Sequence, residues 1–230
     1  MPIFIILAIA VSISAMEASA RNLSQDGDGG SFMREMVGDW IGTFDQSTDR
    51  VKAPTKYFHA SVTQTGRDSY ETLFKYYKLD PLTLKAVDAG TSKMETNIAP
   101  DGTARNKMIG GGDVLIDAET LKSEQHEFNE VLQAASPNVL QGLGTGTIRV
   151  RDPSSRGGKD KKGKIVKGVS TWSMDEGVLR ITLKFEVRFK VLFFARTYQI
   201  TMDHNVKRGS DIMGLIRDSA GNAIPATPAQ

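Results

Sequence analysis

The sequence predicts an all-β protein, an antiparallel up-and-down barrel carrying one or two short helices. Three observations lead there. Leu179 to Val191 alternates apolar and polar residues without a break, shorter alternating runs recur along most of the chain, and turn signals separate those runs at hairpin spacing. The 230 residues suit one barrel- or sandwich-sized domain rather than two, and 40% hydrophobic with 24% charged residues fits a globular chain.

At the N-terminus, Ile3 to Ile13 is apolar apart from Ser12, and Ala18-Ser19-Ala20 offers small residues for a signal peptidase. Residues 1–20 therefore read as a signal peptide, and the Ile3–Ile13 run is too short for a membrane anchor, which takes about 20 apolar residues. The expected location is periplasmic or secreted, in a bacterium. With no cysteine in the chain, disulfides, thiolate metal sites, a Cys nucleophile and a lipid anchor are all excluded. Residues 21–31 read as a flexible Gly/Asp-rich leader, and Phe32 to Val37 as one helical turn with Ser31 as its N-cap.

The barrel domain is expected over residues 32–208, in roughly ten strands. The Leu179–Val191 strand places Leu179, Ile181, Leu183, Phe185, Val187 and Phe189 on one face and charged or polar residues on the other. At about 3.3 Å per residue it is ~43 Å long, and a strand of that length coils, which favours a barrel over a flat sandwich. Asp175-Glu176-Gly177 is a hairpin turn leading into it. Tyr198, Ile200 and Met202 share a face in the next strand. Phe58, Ala60 and Val62 precede a Gly66-Arg67-Asp68 turn, after which Tyr70, Thr72, Phe74 and Tyr76 share a face. Pro100-Asp101-Gly102 marks another turn, and Gly110-Gly111-Gly112 separates a short Val114–Ile116 run. In one interval Leu121, Phe128, Leu132 and Ala135 recur at helical spacing, predicting a helix from Thr120 to Ala135 that ends at Ser136-Pro137. Residues 209–230 read as a last strand or a tail.

Gly38-Asp39-Trp40-Ile41-Gly42 opens the first strand, and Arg196 begins a late one. This opening resembles the Gly-x-Trp start of the lipocalin or calycin superfamily, and more nearly the Gly-x-Trp-x-Gly run of bacterial lipocalin-like domains of unknown function. The Thr-Asp-Tyr element of true lipocalins is missing. The resemblance covers those residues and the strand rhythm. It implies a barrel with Trp40, beside Gly38, packed under Arg196 as a structural closure by cation–π contact.

A small barrel either fills its lumen with side chains or encloses one small ligand. The residues expected to face inward and contact such a ligand are Phe44, Tyr70, Phe74, Tyr76, Phe185, Phe189 and Tyr198, whose phenols would need polar partners. A second feature is electrostatic. Arg149, Arg151, Arg156, Lys159, Lys161, Lys162, Lys164 and Lys167 stand against Asp152 and Asp160, a net +6 in a segment whose centre reads as a flexible loop between two strands. Arg156, Lys159, Lys161, Lys162 and Lys164 are the candidate contacts for an anionic membrane surface or glycan. No aromatic interleaves them and the whole chain is only +2, so a nucleic-acid partner is not expected.

Catalytic patterns are missing. His59, His126 and His204 have no close metal spacing, there is no Gly-x-Ser-x-Gly elbow, and Gly142 to Gly146 runs into a strand rather than a helix. No metal, cofactor or catalytic residue is expected. The first reading is an exported binding protein for a small apolar or amphipathic ligand in the lumen. The alternatives are a surface-interaction protein using residues 149–168, and a hydrolase or isomerase on the barrel scaffold, which would need His59, His204 or a carboxylate in the cavity beside Tyr70 or Tyr198.

Overall fold

The computed structural model describes residues 28–80, 82–83, 85–116, 119–151, 160–191 and 194–223. The signal-peptide reading of residues 1–20 and most of the leader lie outside them. Period-two alternation becomes ten strands: β1 (Gly38–Thr48), β2 (Lys56–Gly66), β3 (Ser69–Leu79), β4 (Ala86–Ile98), β5 (Ala104–Ile116), β6 (Glu119–Ser136), β7 (Val139–Arg151), β8 (Asp160–Asp175), β9 (Val178–Val191) and β10 (Phe194–Arg208). Each strand pairs antiparallel with its sequence neighbours, and β1 pairs with β10 from Trp40↔Arg208 to Thr48↔Ile200, closing the barrel. The fold class is the one the sequence predicts.

Hairpin chemistry sets the register. Glu176 and Gly177, both at positive φ (47° and 77°), make the two-residue β8–β9 turn, whose twist matches that of the strands it joins. Gly90 and Gly112 face each other across β4 and β5 with φ of 139° and 144°, and a Cβ on Gly112 would lie 2.5 Å from the Ala89 carbonyl oxygen. Only glycine fits such a backbone approach at such angles. The glycines at 110–112 therefore bend β5 rather than interrupt it.

Four expectations are corrected. The helix expected at Thr120–Ala135 is strand β6. Its inward face carries His126 and Glu130 among Phe128, Leu132 and Ala134, and a bulge between Ser123 and Gln125 shifts the parity, so period two is hidden from the sequence. The N-terminal helix, α1 (Gly29–Met36), begins three residues early because the Asp28 carboxylate, not Ser31, accepts the first-turn N–H, that of Ser31. The C-terminal strand or tail contains helix α2 (Ile212–Ala223); Asp211 caps it by accepting the Gly214 N–H at 2.8 Å, and Ile212 and Ile216, one turn apart, pack with Ile41 and Tyr57 on the barrel's outside. Part of the basic loop is strand, since Lys161, Lys162 and Lys164 lie in β8 paired to β7; residues 152–159, with Arg156 and Lys159, lie outside the described residues.

The two ends of the barrel differ. At the floor α1 presses Phe32, Met33 and Met36 into the core, the Trp40 indole N–H donates to the Met36 carbonyl at 2.8 Å, and Leu132, Leu140, Leu179 and Val206 are buried around them. The cation over Trp40 is Arg208, 4.7 Å from the ring, and not Arg196. Arg208 also donates to the Val37 carbonyl at 2.9 Å and to that of Glu35, satisfying the end of α1. Arg196 sits twelve residues earlier at the opposite end of β10, opposite Phe189 and exposed. The mouth lies at that opposite end, where β2 begins and β5 finishes.

Candidate functional site

The lumen is partly filled. It holds a cavity of about 110 Å³, several times what one water needs (roughly 10–15 Å³) and below the ~300–1,000 Å³ of clefts for drug-sized ligands, so it suits a small guest. One wall comes from β10, β1, β2 and β3. Alternation turns His204, Phe44, Phe58 and Tyr76 inward, and their rings form one cluster: Phe44 to His204 at 4.6 Å, Phe58 to His204 at 4.9 Å, and Tyr76 5.3 Å from both Phe44 and Phe58. The other wall comes from β6 to β9. There Phe128 stands edge-on to Phe185 at 4.9 Å and lies against Gly144 and Gly168, where any side chain would strike its ring. The glycines of β7 and β8 thus make room for one aromatic of β6.

Of the seven residues expected in the lumen, Phe44, Phe74, Tyr76 and Phe185 line the cavity. Tyr70, Phe189 and Tyr198 do not. Tyr70 is buried in the core; Phe189 meets Tyr198 edge-on at 6.0 Å toward the mouth.

The sequence reading named His204 as a cavity candidate for the enzyme alternative alone and missed the rest of the polar lining: Lys56, Asp113, His126, Glu130 and Trp172. Burial lowers His204 to about 4, so its ring is neutral at ordinary pH; Nδ1 lies 3.4 Å from the Ile181 carbonyl and donates to it, which leaves Nε2 as the acceptor. Burial likewise lowers His126 to about 4, and its Nε2 meets the Ser92 hydroxyl at 3.1 Å. Ser92 is enclosed by Gly110 and lies outside the cavity lining, so that contact holds the histidine rather than exposing a nucleophile. Burial raises the Glu130 carboxyl above its ordinary value, against the opposing effect of hydrogen bonds from Ser170 and from Asn106 at 2.8 Å. Burial also raises the Tyr76 phenol, with Ser92 partly offsetting it. The Trp172 indole N–H is buried with no acceptor.

Lys56 opens β2 at the mouth. Its Nζ donates to the Asp113 carbonyl at 2.7 Å and stands 5.5 Å over the Phe44 ring, while the Asp113 carboxylate pairs with Lys78 at 2.5 Å. Burial lowers the Lys56 ammonium from its ordinary value, with Asp113 opposing. Of the groups an enzyme reading needs, His204 lines the lumen with its ring 6.4 Å from that of Tyr76, and the Asp113 and Glu130 carboxylates line it too, whereas Tyr70 and Tyr198 do not. His59 is elsewhere, 3.1 Å from Asp39. Among the described residues no group of three or more His, Asp or Glu could hold a metal ion, and no helix is long and apolar enough to cross a membrane.

No family model matches the chain, and no curated protein matches it. Among solved structures it is similar to the crystal structure of Rv2717c from M. tuberculosis, at 9% identity and a TM-score of 0.49, covering 81% of this chain and 100% of that one. The closed ten-stranded antiparallel barrel fits a lipocalin- or calycin-like fold.

Proposed function

We propose that this is an exported binding protein that holds one small apolar or amphipathic molecule in its lumen. The observation that carries the reading is the cavity itself, walled by aromatic rings and aliphatic side chains with a few polar groups among them. A packed structural barrel would not leave an indole N–H and an ammonium at the edge of unfilled apolar space. Protein purified from a heterologous host should release a small apolar or amphipathic compound on organic extraction, seen by mass spectrometry. Ile165→Trp, which puts a larger side chain into the cavity, should release none. Recovery of nothing from the native protein, together with no measurable uptake of small alcohols, would end the reading. For export, the secreted or periplasmic fraction should contain a chain beginning at Arg21.

A second reading rests on the outer wall. Arg149 stands directly opposite Lys162, and Lys164 directly opposite Arg188. Like charges facing one another across strands are destabilising, and an anionic surface laid over them would relieve that cost. Among the described residues the acid in ion-pair contact with this group is Glu186, 3.6 Å from Arg188. Salt-sensitive binding to vesicles containing phosphatidylglycerol, lost in R149Q/K162Q/K164Q, is the expected result; equal binding by that variant removes the reading.

A further inference from the structure

We propose that Lys56 anchors the head of the ligand, and that the ligand is a small monoanion, a carboxylate on an apolar body. This rests on the reading of the lumen as a binding cavity.

Four observations point there. The Lys56 side chain lines the cavity and the residue is only 5% exposed, so its ammonium is partly stripped of water. Among the described residues it makes one hydrogen bond, to the Asp113 carbonyl, which leaves two of its three N–H groups without a protein acceptor. Among the described residues no carboxylate is at ion-pair distance from it, and the nearby acid, Asp113, pairs with Lys78 on the rim. One pleat nearer the mouth on β1, Gln46 is buried with both amide atoms unpartnered.

A buried charge is costly unless it is paired and hydrogen-bonded. The Asp113 carbonyl and the face of Phe44 compensate Lys56 only in part. Burial displaces the Lys56 titration downward, the direction expected of an ammonium short of partners. Among the described residues in contact here, the Lys56 and Lys78 ammonium groups and the Asp113 carboxylate leave a single positive charge. One negative charge therefore balances the site. A second negative charge on the ligand would face the Asp113 carboxylate with nothing left to neutralise it. Beyond Lys56 the lining turns to Phe44, Phe58 and Ile200, which offer no pairing to a charge and so take the apolar body.

The test compares hexanoate with hexan-1-ol, equal in chain length and differing in charge, by titration calorimetry on the whole protein. The native chain should bind hexanoate at least tenfold tighter than hexan-1-ol. Lys56→Met, which keeps the length and drops the charge, should weaken hexanoate at least tenfold and leave hexan-1-ol within twofold. Lys56→Arg should keep the preference for the acid. Lys78→Met should change the ratio less than Lys56→Met does. If hexan-1-ol binds and hexanoate binds no tighter, the anchor is refuted while the binding reading stands, and this comparison needs no variant. An unchanged ratio in K56M, or a larger effect in K78M, also refutes it. If neither compound binds, the binding reading fails and the anchor with it.

Discussion

The floor and the mouth of this barrel are built from the same alternating strands, yet they spend their polar groups differently. At the floor each charge is matched to a structural need: Arg208 covers Trp40 and satisfies two carbonyls at the end of α1, and the Trp40 N–H is taken by Met36. At the mouth Lys56 has one acceptor and Gln46 has none. The difference separates stability from binding. The Tyr70, Thr72 and Thr96 hydroxyls at the floor end are also buried without partners, so it is the placing of the cations that differs: Arg208 is engaged within the chain, and Lys56 keeps donors to spare beside a cavity.

That contrast can be broken most sharply by exchanging which end is damaged. Trp40→Ala should cost about 3–5 kcal/mol in urea unfolding, the range for removing a large buried aromatic. Lys56→Met, at a less deeply buried position, should cost about 1 kcal/mol or less, because it also removes a partly desolvated charge. Similar losses for the two would erase the distinction.

Acid reaches the lumen without touching the floor. His126 and His204 are held at about 4 when folded, against an ordinary 6.5 in the unfolded chain. Between those values the unfolded state binds protons that the folded state does not, so stability falls as pH drops from 6.5 toward 4, by on the order of a few kcal/mol. Glu130 acts with the opposite sign. Its folded value is raised, so above about 4.5 the unfolded state gives up a proton that the folded state keeps, and stability falls as pH rises. Unfolding free energies from pH 7 to pH 4 should therefore show a net loss in acid, steeper in Glu130→Gln and shallower in His204→Asn. A flat profile would mean that the histidines are not enclosed as described.

Smaller effects sharpen the picture. Gly168→Ala puts a Cβ 2.7 Å from Phe128 and 3.2 Å from Phe185, and should cost about 1–3 kcal/mol by overpacking the wall of the cavity. Arg208→Gln should cost about 1–2 kcal/mol through the lost ring contact and helix cap, whereas Arg196→Gln should change stability by less than about 0.5 kcal/mol. Equal losses for the two arginines would reinstate the expectation drawn from the Gly-x-Trp opening.

The barrel was legible in the sequence wherever inward positions were uniformly apolar, as along β9. It was lost at β6, where inward His126 and Glu130 look like surface residues and a bulge resets the count. The cavity's polar lining was missed for the same reason, since a polar residue on an inward face resembles a solvated one until its strand partners are known. Two signals were present all the same. Continuing the Phe58, Ala60, Val62 frame backward puts Lys56 on the inward face, and continuing Tyr198, Ile200, Met202 forward reaches His204 and then Arg208. Which late arginine meets Trp40 depends on the β1–β10 register, which alternation alone does not supply.

The single acceptor of Lys56 is a main-chain oxygen one residue beyond the Gly90–Gly112 pair. Where that oxygen points is decided by two residues that have no side chains. A methyl group added at position 112 would lie 2.5 Å from the Ala89 carbonyl oxygen, so the backbone beside that acceptor would have to shift, changing the lysine's surroundings without altering the lysine. Drift at a glycine is therefore a shorter route to a barrel with a different guest than replacement of the cation, and a comparison of rim side chains between related barrels would overlook it.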